Sequence, residues 1–214
     1  MNKLAMAVMI MLSLGGTTAL ANQHHHQEHQ DHSHHVTMAA DSVDMSDSIY
    51  HLAGTWYTHR GEQISLHNFQ GSAVVISMIY GNCVTACPVL VNDARRIYNA
   101  LPEAYQSHVK LVMVSFDDDR DTPAALADYV ERYKLNESAW TFLHGTDTDI
   151  RTLATLLGIR YRKRDDGNFD HSNLVTILDE HGRIVERIEG LNRPVEPAVD
   201  ALKKIIDEAH LLHH

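Results

Sequence analysis

Ala73-Val74-Val75-Ile76-Ser77-Met78-Ile79-Tyr80-Gly81-Asn82-Cys83-Val84-Thr85-Ala86-Cys87-Pro88 joins an apolar run of strand length to the only two cysteines of the 214-residue chain. With a single hydroxyl among seven residues, 73–79 has the pattern of a strand buried on both faces. Beyond Pro88, the residues Leu90, Ala94, Ile97, Tyr98 and Leu101 recur at helical spacing, with Asn92, Asp93, Arg95 and Arg96 between them. The spacing predicts a strand, a tight turn and a helix whose first turn holds Cys87. Pro88 fits that turn, because its N–H groups lack intrahelical acceptors. A helix N-terminus stabilises anions and lowers thiol pKa, so both sulfurs are placed to become thiolates.

Working outward, 110–115 reads as a second buried strand. The acidic run 117–121 is expected as a solvated loop, and Thr122-Pro123 as the N-cap and first residue of a helix packing Leu126, Tyr129, Val130 and Tyr133. A short strand at 140–143 precedes a helix through Ile150, Leu153, Ala154 and Leu157, closed by Gly158. Residues 174–178 and 183–188 read as antiparallel strands across the short turn 179–182, and a last helix buries Val195, Val199, Leu202, Ile206 and Ala209. Upstream, 56–59 and 63–66 read as a hairpin. Strands alternating with helices, then a hairpin and a helix, predict an α/β, thioredoxin-like domain over residues 48–214, a central mixed β-sheet flanked by helices. Such sheets place their sites at the carboxyl ends of parallel strands, where Cys83, Cys87 and the 117–121 loop fall.

The amino-terminal residues read differently. Lys3, the apolar run 4–14 and Ala19-Leu20-Ala21 make a cleavable signal peptide over 1–21, too short for a comfortable transmembrane helix. The expected location is periplasmic, soluble after cleavage and without stable membrane insertion, and a retained membrane anchor is the less favoured reading. Residues 22–47 carry no apolar periodicity, and the first part holds His24, His25, His26, His29, His32, His34 and His35. This segment is expected to be a disordered tail that collects metal weakly through imidazole. A formal net charge of −10 disfavours nucleic acid as a partner.

Two thiols four residues apart at a helix start admit soft-metal binding, reversible disulfide exchange or peroxide reduction. As a structural disulfide they would close so small a loop that little stability is gained. Peroxide chemistry finds no arginine partner in Val84 or Thr85. Metal binding needs a further ligand, for which His171 in Asp170-His171-Ser172 is the candidate, with Asp170 expected to orient its imidazole. Two thiolates and one imidazole suit three-coordinate Cu(I), whereas zinc wants a fourth ligand.

Three motifs in order resemble the Sco/SenC family: Cys83-Val84-Thr85-Ala86-Cys87-Pro88 after one strand, Asp119-Arg120-Asp121-Thr122-Pro123 after the next, and Asp170-His171-Ser172 before the hairpin. The resemblance implies a thioredoxin-fold copper chaperone that helps assemble the binuclear copper centre of cytochrome oxidase or a related cuproenzyme. It also implies Cys83, Cys87 and His171 as ligands of Cu(I) or Cu(II). A copper donor protein, a cuproenzyme client and a thiol reductant would be its partners. Most members have a proline after the first motif cysteine and an acidic residue between the two, where this chain has Val84, Thr85 and Ala86. The alternative role is a thiol-disulfide oxidoreductase whose redox-active dithiol, Cys83 and Cys87, keeps a client's copper-ligand cysteines reduced.

Overall fold

Apolar runs become strands here wherever both faces can be covered. The computed structural model describes residues 36–44, 47–135 and 138–212; the expected signal peptide and all seven tract histidines lie outside the described residues. Trp56–Thr58 (β1) and Gln63–Ile64 (β2) pair as the expected antiparallel hairpin, Trp56 opposite Ile64. Ala73–Ile79 (β3), buried at all seven positions, is followed by Ala86–Ala100 (α1), Glu103–Gln106 (α2) and Val109–Ser115 (β4). Pro123–Arg132 (α3), Trp140–His144 (β5) and Asp147–Leu157 (α4) complete the alternating half. Tyr161–Lys163 (β6), Phe169–His171 (β7), Leu174–Leu178 (β8), Ile184–Glu189 (β9) and Glu196–Leu212 (α5) form the rest.

Seven strands make one mixed sheet in the order β2-β1-β5-β4-β3-β8-β9. The central three are parallel, with Ala73 opposite Val109 and Ile79 opposite Ser115, while β1 and β8 run antiparallel to their neighbours β5 and β3. α1 packs against β3, β8 and α5, and α3 against β5. This is the thioredoxin-like sheet flanked by helices that the sequence predicts. The predicted caps are present too: Thr122 Oγ1 accepts from the Ala125 N–H, and Gly158 ends α4 in the left-handed region at φ 71°.

Two segments depart from expectation. The β6–β7 hairpin was not legible, because Tyr161-Arg162-Lys163 is largely exposed and the buried β7 carries Asp170 and His171 rather than an apolar alternation. Residues 36–44, assigned by composition to the disordered tail, lie along the domain as a strap. Thr37 bridges to His171 in parallel, and the Met38 N–H donates to the His171 carbonyl at 3.1 Å. Further along, the Asp41 N–H donates to the Gly158 carbonyl at 2.9 Å and the Ala40 N–H to the Glu189 carboxylate at 2.9 Å. A Cβ on Gly158 would stand 2.5 Å from the Asp41 carbonyl oxygen, so that glycine serves both the helix cap and the strap's approach. The strap is ordered by backbone pairing to the open edge of β7, a source of order that composition does not register.

Candidate metal centre

Topology brings the ligands together. β3 and β8 are antiparallel, Ser77 standing opposite Val175, so the carboxyl end of β3 and the amino end of β8 lie at one pole of the sheet. Cys83 follows the first end and His171 precedes the second. Cys87, in the first turn of α1, comes within 3.7 Å of His171 Nε2, a partner 84 positions away. The candidate ligand atoms of Cys83, Cys87 and His171 all lie within 4.8 Å of one another, and all three residues are buried. No disulfide joins the two thiols.

Local hydrogen bonds orient each ligand. The Cys87 N–H donates to Cys83 Sγ at 3.3 Å, as a first-turn amide without an intrahelical acceptor should, and the Tyr80 N–H approaches Cys87 Sγ at 3.5 Å. The Ser172 carbonyl, which can only accept, lies 3.0 Å from His171 Nδ1. That contact turns the ring so that Nε2 faces the sulfurs. Asp170, expected to orient the imidazole, is engaged elsewhere: its carboxylate pairs with Arg162 at 2.6 Å and accepts from the Val36 N–H at 3.3 Å. Neighbouring residues of a strand face opposite ways, so the buried Asp170 turns away from the centre, under Arg162 and the strap, where His171 turns in.

The two thiols are unequal. A hydrogen bond from Cys87 is the main cause that draws the Cys83 thiol far below the usual thiol range, against burial, with His171 and the Cys87 and Thr85 amides adding to it. Burial first, then the hydrogen bond and charge of Cys83, push Cys87 up. The arrangement therefore favours negative charge on Cys83 over Cys87.

Sequence reasoning missed the walls. Tyr80 and Phe116, each directly following a parallel strand, stand 6.2 and 5.1 Å from the imidazole ring, and Phe169 packs 5.1 and 5.0 Å from those two rings. Their position just past strand ends was the available signal. By excluding water they lower the local dielectric and strengthen thiolate–cation attraction.

The acidic loop is also a correction, since it is not simply solvated. Asp117 and Asp121 are buried; Arg120 bridges Asp117 to the Gly167 carbonyl, and Asp121 accepts from Ser115 Oγ and, at 2.7 Å, from the Gly81 N–H. This loop thus clamps the turn that carries Cys83. A Cβ on Gly81 would meet Asp121 Oδ1 at 2.7 Å. Gly81→Ala is expected to destabilise the reduced chain by roughly 1–3 kcal/mol through overpacking, read as an earlier urea midpoint.

A thioredoxin-like domain with a buried dithiol–imidazole centre is the class that fold and site define. The SCO1/SenC family model matches residues 50–207, and the chain belongs to that family. Among curated relatives, the SCO1 protein homolog of Bacillus subtilis is 22% identical over 153 residues, covering 70% of this chain and 79% of its own. Arabidopsis thaliana ScoI, solved with copper bound, superposes with a TM-score of 0.63 at 21% identity, over 72% of this chain and 96% of its own. BsSco, described as a member of the Sco family of cytochrome c oxidase assembly proteins and as having a disulfide switch, superposes at 0.63 and 20% identity, over 77% and 98%. These structural likenesses establish the fold.

Proposed function

We propose that this chain is an exported copper-binding metallochaperone: Cys83, Cys87 and His171 hold copper and pass it to a cuproenzyme such as the copper centre of cytochrome c oxidase. The convergence of two buried sulfurs and one imidazole carries the reading, because no carboxylate joins that group among the described residues. Thiolate and imidazole ligands in threes suit Cu(I), and a closed zinc site would need a fourth. Copper bound to the Arabidopsis relative and the assembly role given to BsSco support it. The ion is cargo, taken from a donor protein and released to a client, so the protein is a carrier without turnover. Val84, 87% exposed between two buried ligands, belongs to the face a client meets.

Export to the periplasm rests on the signal pattern of residues 1–21. Among the described residues, no helix is long and apolar enough to cross a membrane. The histidines of residues 24–35 serve as a weak auxiliary store for copper or zinc.

Oxidation tests the assignment. A two-electron oxidant that joins Cys83 to Cys87 removes two electrons from the sulfurs and leaves neither as a thiolate for the metal, and any proton still held by the pair goes to solvent. Competition titration of the reduced and oxidised chain should show Cu(I) affinity falling by at least about 10³-fold on oxidation. Equal affinity in both states would place the ligands elsewhere. A second reading draws on the unequal acidity of the pair: an acidic sulfur beside a less acidic one is what dithiol exchange uses, so the same sulfurs can reduce a client's copper-ligand cysteines.

A further inference from the structure

The pole of the sheet opposite the dithiol centre is rich in imidazole. His51, His67, His108, His181 and His210, five of the eight described histidines, line the cavities around the 179–183 turn that joins β8 to β9. His108 and His210 form a pair, their ring centres 4.9 Å apart and their planes inclined at 78°. Together with Glu180, whose side chain is 23% exposed, they border a cavity of about 30 Å³. That is room for one water molecule or one small cation. No hydrogen bond to either ring is seen among the described residues. Separate contacts hold the three backbones in place. The Ala73 N–H donates to the His108 carbonyl at 3.0 Å and the Gly71 N–H to the Glu180 carbonyl at 2.9 Å, so both rest on the stretch that opens β3. His210 lies in the last turn of α5, which packs on β3, β8 and β9. Three residues before each histidine, the Tyr105 hydroxyl donates to the Asp207 carboxylate at 2.9 Å and fastens the helix to the loop ahead of β4.

We propose that His108, His210 and Glu180 form a second metal site, for a divalent cation of the Zn(II) and Cu(II) class. Ring spacing carries the proposal. Metal–imidazole bonds of about 2.0–2.1 Å put each ring centre about 3.2 Å from the ion, so two rings meeting it at about 90–110° stand about 4.5–5.2 Å apart. The observed 4.9 Å falls inside that range. Glu180, which faces His181 Nε2 at 3.6 Å, reaches the pair by a change of rotamer and supplies the negative charge that two neutral imidazoles lack. Three protein ligands and one water then complete four-coordination. Nitrogen and oxygen donors select divalent ions of this class, whereas the sulfur pole suits Cu(I), so the two ends of one sheet sort metals by ligand softness. The three ligands come from the loop before β4, the β8–β9 turn and the end of α5, and a shared ion therefore ties down a helix terminus that otherwise frays. No sulfur takes part, and the proposal does not depend on the copper reading of Cys83, Cys87 and His171.

The test is a Zn(II) titration of the full chain with Cys83 and Cys87 joined as a disulfide, so that neither sulfur competes. Nitrogen-15 magnetic resonance follows the imidazole signals, assigned by single substitutions, and thus reads each histidine by itself. The signals of His108 and His210 should move together and saturate with one common constant. Amides in the last turns of α5 should gain protection from hydrogen exchange at the same Zn(II) concentration. His210→Gln, at an exposed position, should lower the Zn(II) affinity read at His108 by at least about tenfold, and His108→Gln should do the same at His210. Glu180→Gln should weaken both several-fold. Urea midpoints without metal verify that each variant is folded. Cu(II) added to the Zn(II)-loaded chain should displace Zn(II) and broaden the same two signals. The site is overturned if the two imidazoles saturate with different constants, or if the Zn(II) response of one is unchanged when the other is replaced; the pair is then an edge-on ring contact alone. Either result leaves the Cys83–Cys87–His171 centre untouched, since its own test is the Cu(I) titration of reduced against oxidised chain.

Discussion

Replacing Cys83 or Cys87 by alanine is expected to weaken Cu(I) binding by on the order of 10²–10³-fold, since a preformed site of three or four ligands draws about 3 kcal/mol or more from each. The two substitutions should differ in their pH dependence. Cys83→Ala leaves only Cys87, whose thiol is pushed up chiefly by burial, so copper must displace a tightly held proton. Its residual affinity should rise about tenfold per pH unit below the Cys87 pKa, because one proton is released for each ion bound. Cys87→Ala leaves Cys83 without the hydrogen bond that does most to depress its pKa, yet still beside the amides of residues 85 and 87. Its affinity should be higher at neutral pH and flatter with pH. Competition titration against a chromophoric Cu(I) chelator from about pH 6 to 9 measures both. Stoichiometric tight Cu(I) in either variant would refute the ligand assignment.

His171→Ala is expected to separate copper handling from dithiol exchange. Imidazole is the centre's one nitrogen ligand, and Cu(II) prefers nitrogen, so Cu(II) affinity should fall by roughly 10²-fold while Cu(I) persists more weakly on the two sulfurs. The dithiol potential should move by less than about 30 mV, equivalent to about 1.4 kcal/mol, because His171 ranks behind Cys87 among the groups that stabilise the Cys83 thiolate. Removing a fully buried ring packed beside Tyr80 and Phe116 also leaves a cavity, with an expected loss of about 2–4 kcal/mol by urea unfolding. Affinity and potential are to be measured on the same folded preparation. Unchanged Cu(II) affinity with a strongly shifted potential would reverse the ranking and favour the oxidoreductase. Asp170→Asn belongs in the same series, since its contacts to Arg162 and Val36 make it a test of the strap rather than of the imidazole.

The alternating half of the domain was legible because its signals are local. Ala73–Ile79 is apolar at nearly every position and is buried on both faces, Thr122-Pro123 caps α3, and Gly158 closes α4, each within a few residues of the feature it sets. The β6–β7 hairpin and the strap carry no such pattern: the first presents arginine and lysine to solvent, and the second is held by backbone groups that any sequence supplies. Asp117 and Asp121 read as solvated for a similar reason, since the Arg120 side chain, Ser115 Oγ and the Gly81 N–H that receive them are brought up by the fold.

By itself the sequence determined which atoms can do chemistry. Two cysteines at a helix start fixed where thiolate forms, and three motifs in register named the family and pointed to His171. Whether that histidine meets the sulfurs was decided by tertiary structure, through the antiparallel pairing of β8 against β3 that puts one strand's end beside the other's beginning. The fold likewise chose the Ser172 carbonyl over Asp170 as the imidazole's partner, built the Tyr80–Phe116–Phe169 wall, and laid residues 36–38 against the ligand strand. Periodicity and capping act over a few residues and are written in the chain, whereas contacts across 84 positions depend on strand order and register, which no local pattern encodes.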